Sequence, residues 1–202
     1  MHKKIQIVSK KWAIPRKKRT YLAVPNHTND MPIVVVIRDI LKLADNRKEV
    51  KKILNSGSVL INERIVRDEK HPACLLDILT IGDKKYKVSL SKKGKFEISE
   101  TKEAAGHEKV IGKKLLKGGK IQVNLASGRN ILTDKKIGVG DSIIIKGKNI
   151  EVSKLEKGAN VLILGGKHAG HVGKVKEIEG KIARISFEGQ DINVLKKLIM
   201  VV

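Results

Sequence analysis

Cations at helical spacing are the first residues in this chain that could do chemistry, and that chemistry is the neutralisation of phosphate. Arg38 and Lys42 stand one helical turn apart. Arg47, Lys48, Lys51 and Lys52, at about 100° per residue, fill the arc beside and opposite Val50, Ile53 and Leu54. Arg64 and Arg67 follow on a hairpin pattern and can extend the same surface. The plain alternative is a solvated lysine face. A second set lies in Gly165-Gly166-Lys167-His168-Ala169-Gly170-His171-Val172-Gly173-Lys174, where Gly166, Gly170 and Gly173 let the backbone approach a ligand and Lys167 and Lys174 add charge. A nucleotide loop ending in Gly173-Lys174 would need Gly at 168 and Ser or Thr at 175, and the chain has His168 and Val175. The pairs His168/His171 and His71/Cys74 each lack a second pair of ligands, so loop contacts and a buried structural cysteine are expected, with no metal site.

A third set precedes both. Lys3, Lys4, Lys10, Lys11, Arg16, Lys17, Lys18 and Arg19 all come before the first acid, Asp30, with Pro15 and Pro25 interrupting any helix. The segment is expected to be an arm that orders against RNA, with Trp12 either inserted into a crevice or against a sugar, or capping a neighbouring core.

The elements that must position these residues follow from periodicity. Ile33, Val36, Ile37, Ile40, Leu41 and Ala44 repeat as a helix with one buried face, with Asp30 expected as N-cap and Pro32 in the first turn. Asn46 followed by Glu49 predicts a capping box for a second helix, and Gly57 its end. Strand, turn and strand follow to Ile81, with Asn62-Glu63 at the turn where glycine is usual. Beyond Gly82-Asp83, alternating segments cornered by glycine predict antiparallel strands, with a polar stretch at 100–117 helical around Glu103-Ala104-Ala105.

Composition narrows the function. A net charge of +22 with a pI near 10.1 points to a polyanion. No apolar run approaches the ~20 residues that span a bilayer, so no membrane partner is expected. The single cysteine, Cys74, fits a reducing, intracellular setting. Aromatic residues are 2% of the chain, too few for the stacking platforms of single-strand readers, which favours phosphate and shape recognition of folded RNA.

The run from Val36 to Ala44, then Asn46 to Leu54, then Gly57 to Asn62 resembles the S-four-type, or αL, RNA-binding domain. That resemblance implies that Arg38, Lys42, Asn46, Arg47, Lys51 and Lys52 are contact residues. Gly158 to Ile178 resembles the KOW motif, a strand, a glycine-rich loop and a strand within an SH3-like barrel. Basic arm, αL domain, glycine-cornered β domain and KOW barrel, in that order, are together similar to the archaeal and eukaryotic small-subunit ribosomal protein family S-four-e.

The resemblance implies an α+β, mainly β fold: a basic arm (1–31), a two-helix-plus-hairpin domain (32–81), a central antiparallel β domain (82–154) and a C-terminal SH3-like KOW barrel (155–202). It also implies a cytoplasmic, ribosomal, non-enzymatic protein whose partners are ribosomal RNA and neighbouring ribosomal proteins, with no cofactor and no small-molecule substrate. The alternatives are an RNA-binding assembly factor and a transcription elongation factor, and the latter would account for the KOW segment without accounting for Arg38 to Gly57. An RNA-modifying enzyme would need a catalytic acid or nucleophile in a cleft, and the acids here fall mainly in turns and beside lysines.

Overall fold

A computed structural model describes residues 2–15, 21–25, 30–102, 106–146 and 149–202. Arg16, Lys17, Lys18 and Arg19, and the helix expected at Glu103-Ala104-Ala105, lie outside the described residues. The chain is mainly β with few helices and several antiparallel sheets, and packs as two compact units, Met1–Ser89 with Lys95–Gly106, and Leu90–Gly94 with His107–Val202.

In the first unit, β1 (His2–Lys4) pairs with β2 (Tyr21–Ala23). After β3 (Met31–Pro32) the chain enters a short helix, α1 (Ile33–Val35), which becomes a π-helical turn over Val36–Ile40. The expected Asp30 cap is not made, because Asp30 precedes a strand and Pro32 is the N-cap, with no side-chain bond. Backbone carbonyls supply that role: Ile33 N–H donates to His71 O at 2.9 Å and Val34 N–H to Glu69 O at 3.1 Å. The expected single apolar stripe also differs. Ile33, Val34, Val35, Val36 and Ile37 are all buried, so this β-branched run is enclosed on every side. The helix widens there, Leu41 N–H reaching back to Val36 O at 2.9 Å, and Lys42 ends it at φ 54°.

Next come α2 (Arg47–Asn55), β4 (Val59–Ile61), β5 (Arg64–Ile65), β6 (Pro72–Ala73), β7 (Ile78–Ile81), β8 (Lys84–Leu90) and β9 (Phe96–Glu100). β6 returns to pair with β3, and the others form one sheet in the order β5-β4-β7-β8-β9. Gly82, at φ 59°, turns β7 directly into β8. Residues 84–100, expected from the sequence in the central β domain, are thereby hydrogen-bonded into the sheet of the preceding hairpin.

The second unit holds two five-stranded sheets. β10 (His107–Leu115), β11 (Ile121–Leu125), β12 (Asn130–Thr133), β13 (Ser142–Lys146) and β14 (Asn149–Ser153) take the order β12-β11-β10-β13-β14 around Val110, Val123, Leu125, Ile137 and Ile143. A bulge between Val110 and Gly112 lets β10 serve both β11 and β13. β15 (Asn160–Ile163), β16 (Val172–Glu179), β17 (Ile182–Phe187), β18 (Gln190–Leu195) and β19 (Ile199–Val201) take the order β18-β17-β16-β15-β19. Their core is Val161, Ile163, Val175, Ala183, Ile185, Ile199 and Val201.

One buried polar residue anchors the linker between these sheets and a second joins them. Asp141 accepts from Gly138 N–H at 2.7 Å and from Leu155 N–H at 3.0 Å. The Lys109 ammonium donates to the carbonyls of Lys196 (2.9 Å), Lys197 (3.0 Å) and Ile199 (2.6 Å), which uses all its donors. Burial pushes its pKa down to about 8.

Candidate nucleic-acid interface

α2 starts where its sequence says it should. The Asn46 side chain accepts from Glu49 N–H at 3.0 Å, and Glu49 in turn accepts from Asp45 N–H at 2.8 Å. Gly57, at φ 76°, ends the helix, its N–H bonded to Leu54 O. Val50 and Leu54 are buried, and Arg47, Lys48, Lys51 and Lys52 are exposed. The capping geometry therefore fixes the direction in which the lysine face points. It also engages the Asn46 side chain, which bonds Glu49 as well.

The cations of this region differ in what already holds them. Arg47 makes a two-point contact with Glu69, its Nε donating to Oε2 at 2.7 Å and its Nη2 to Oε1. Glu69 is 7% exposed, and the hydrogen bond from Arg47 holds its carboxyl below the usual range despite burial. Lys51 Nζ lies 4.0 Å from the same carboxylate. Arg47 thus fastens α2 to the turn after β5, the turn whose backbone also receives the first N–H groups of α1. Glu69 escaped the sequence argument; the available signal was one acid, Asp68 aside, standing in a run of cations and aimed at no local partner.

Arg38 is held as well, donating from Nε and Nη2 to the Asp39 carboxylate at 3.1 and 2.9 Å. Lys42, Lys48, Lys52, Arg64 and Arg67 are exposed, and no ion pair holds any of them among the described residues.

The Asn62-Glu63 turn is type I′, with φ 47° and 65°, although it has no glycine. Distant contacts supply what glycine would have: Asn62 Nδ2 donates to Asp77 Oδ1 at 2.8 Å, and Asn62 Oδ1 accepts from Ile78 N–H at 2.9 Å. Asp77, 1% exposed, also accepts from Cys74 N–H at 2.7 Å. This scaffold orients β5 and with it Arg64.

The N-terminal segment departs from the expected arm. Trp12 is 3% exposed and packed in the first unit with Ile5, Val8, Leu22 and Val24 buried there too. Of the two places expected for Trp12, the core is the one it takes, so its ring is not available to a sugar or a crevice in RNA. The physical reason is a spacing that the cations obscured. Ile5, Val8 and Trp12 give one apolar face, and Lys11 O accepts from Phe96 N–H at 2.7 Å, tying the segment to β9. Lys4 and Lys10 are exposed, and Lys3 and Lys11 are half-buried.

In the loop between β15 and β16, Gly170 N–H donates to Ile163 O at 2.8 Å and Ile163 N–H to His171 O at 2.9 Å, which closes the loop at its base. Gly166, at φ 90°, faces open space beside exposed Lys167. His171 packs edge-on against Phe187, ring centroids 4.5 Å apart, and His168 lies 6.0 Å from the same ring. Gly173, expected where the backbone approaches a ligand, is not at positive φ, and the close approach the structure shows is to its own chain: a Cβ there would lie 2.5 Å from Ile185 Cγ2 and 2.7 Å from Ser186 O, so the neighbouring strand β17 requires the glycine. Lys174, the next residue, is exposed.

Among the described residues no group of three or more His, Cys, Asp or Glu is placed to hold a metal, and no helix is long and apolar enough to cross a membrane. Cys74 is buried, its Sγ 3.5 Å from Asp30 Oδ2.

Comparison with known proteins agrees with this mainly β arrangement of antiparallel sheets. Residues 82–152 match the family model "Ribosomal family S4e", and residues 157–188 match the KOW motif. The small ribosomal subunit protein eS4 of Archaeoglobus fulgidus is 34% identical, over 100% of this chain and 93% of the relative. That of Nanoarchaeum equitans is 37% identical over 88% of this chain and 82% of its own length. The crystal structure of the 30S ribosomal protein S4e from Thermoplasma acidophilum superposes with a TM-score of 0.71 at 27% identity, covering 85% of this chain and 93% of that one. The fold and its KOW loop are those of a ribosomal protein. The chain belongs to the S4e family of small ribosomal subunit proteins.

Proposed function

We propose that this chain is a structural constituent of the small ribosomal subunit, acting in translation by binding ribosomal RNA through phosphate and shape and contacting neighbouring ribosomal proteins in the cytoplasm. The observation that carries the RNA contact is the exposed cation face of α2, Lys48, Lys51 and Lys52, on a helix capped at both ends and fastened through Arg47 and Glu69. In this reading α1, its π turn, α2 and the β4–β5 hairpin act as an αL domain, with Lys42, Arg64 and Arg67 extending the face. The sheet β15–β19 acts as an SH3-like KOW barrel that presents Lys167 and Lys174. Lys3, Lys4 and Lys10 add charge from the N-terminal segment, and Arg38 and Arg47 act chiefly by holding the frame.

Sedimentation of the tagged chain in a lysate of an archaeal host tests this. The chain should travel with small subunits and leave them in high salt, as a phosphate-bound protein does. Travel with RNA polymerase, or absence from subunits, would refute it.

A further inference from the structure

In the second unit, the loop between β15 and β16 does not stand alone. Gly170, at φ 89°, lies so close to the turn between β8 and β9 that a Cβ would be 2.2 Å from Ser91 O. A Cβ on Gly94, at φ 69°, would be 3.4 Å from the methyl of Ala169, itself buried. Two glycines, one on each side, thus let two backbones interlock. The turn carries Lys92 and Lys93, both exposed, and the loop carries exposed Lys167. Among the described residues no carboxylate pairs with any of the three. Three cations from stretches 75 residues apart are held beside one another by backbone contact, which a single-stretch motif does not provide.

We propose that the Lys92-Lys93 turn and the Lys167 loop form one composite surface for the phosphate backbone of a single RNA element. This rests on the RNA-binding reading above and deepens it, since Lys92 and Lys93 lie outside the KOW segment, 157–188. A pre-formed pair of loops meets the phosphates without ordering a flexible segment, so each lysine contributes its counterion release at little conformational cost. The span of two loops also suits a folded RNA backbone better than a free anion, which one loop could hold.

The test uses the full chain and protein-free small-subunit ribosomal RNA, with hydroxyl-radical footprinting and affinity measured across salt concentrations. Variants are Lys92→Ala/Lys93→Ala and Lys167→Ala, all surface changes, with thermal melting as a folding control. Both variants should lose protection over the same nucleotides. The double variant should lower the salt slope by between about 1 and 2, at roughly 0.7 to 0.9 for each phosphate contact. Loss over separate nucleotides, or an unchanged footprint in Lys92→Ala/Lys93→Ala, would overturn the composite surface while a wild-type footprint leaves RNA binding intact. A wild type that protects nothing would overturn both.

Discussion

Replacing Lys109 with methionine removes a buried ammonium of similar length and leaves three carbonyls without their donor. Those of Lys196 and Lys197 lie in a turn that water reaches, whereas Ile199 is fully buried. At about 1 to 3 kcal/mol for each unpaired buried acceptor, with the turn carbonyls at the low end, the loss comes to roughly 4 to 5 kcal/mol. The charged lysine itself carries a penalty in the folded state. Its pKa is about 8, against an unfolded value near ~10.4, which corresponds to at most about 3 kcal/mol at pH 7, less for the part that solvent screens.

The substitution relieves that penalty, so the net destabilisation at pH 7 should be only about 1 to 2 kcal/mol. The sign with pH is opposite to that of most lysines. Between about 8 and ~10.4 the unfolded chain binds more protons than the folded one, so wild-type stability rises with pH across that window. The methionine variant lacks the rise, and its deficit should widen towards about 4 kcal/mol at pH 10. Urea denaturation of both proteins from pH 7 to 10 measures this. A variant more stable than wild type at pH 7, or a deficit flat across that range, would refute the clamp.

Arg47→Ala should lower stability by about 2 to 3 kcal/mol, because it strands the buried Glu69 carboxylate, and should weaken RNA binding only as a consequence. Lys52→Ala should leave melting unchanged and lower the salt slope by about 0.9; the reverse pattern would exchange the roles assigned to the two. Gly173→Ala should destabilise by about 1 to 3 kcal/mol through overlap with Ile185 and Ser186, and more than His171→Ala, which loses an edge contact with Phe187 and a half-buried hydrogen bond to the His168 carbonyl; equal melting of Gly173→Ala and wild type would contradict the packing. Trp12 should fluoresce with a blue-shifted, quencher-protected emission in the free protein, and emission typical of solvent-exposed indole would show that the N-terminal core does not form without RNA.

What could be read from the sequence is what a few neighbouring residues decide. The capping box at Asn46 and Glu49, the αL residue Gly57 and the buried pair Val50 and Leu54 are separated by at most four residues within each interaction, and all were legible. The start of α1 was not, because its N–H groups are satisfied by carbonyls of Glu69 and His71, more than thirty residues away. The Asn62-Glu63 turn shows the same limit: local rules ask for glycine, and Asp77 and Ile78 replace it. At the N-terminus the run of cations obscures the apolar residues, yet Ile5, Val8 and Trp12 are enough to join a core shared with Leu22 and Val24.

The same distinction governs the interface. A net charge of +22 suggests that cations anywhere on the chain are available to RNA, yet the structure divides them by what they already touch. Arg38 meets Asp39, Arg47 meets Glu69, Arg129 meets the buried Glu108, and Lys109 meets three carbonyls. Lys109 has no donor left for a phosphate, and in the arginines a neighbouring carboxylate already offsets the charge, which removes part of the gain. Lys48, Lys52, Arg64, Arg67, Lys92, Lys93 and Lys167 are exposed and make no ion pair among the described residues, so they can release counterions without that cost. Arg38 and Arg47, on the helical segments, are paired within the fold, while Arg64 and Arg67 on the hairpin and most lysines, which act as point charges on flexible stems, face outward. That division suits the proposed recognition of backbone and shape: a frame fastened by bidentate arginine, and a surface of cations that would accept any base sequence whose phosphates reach them.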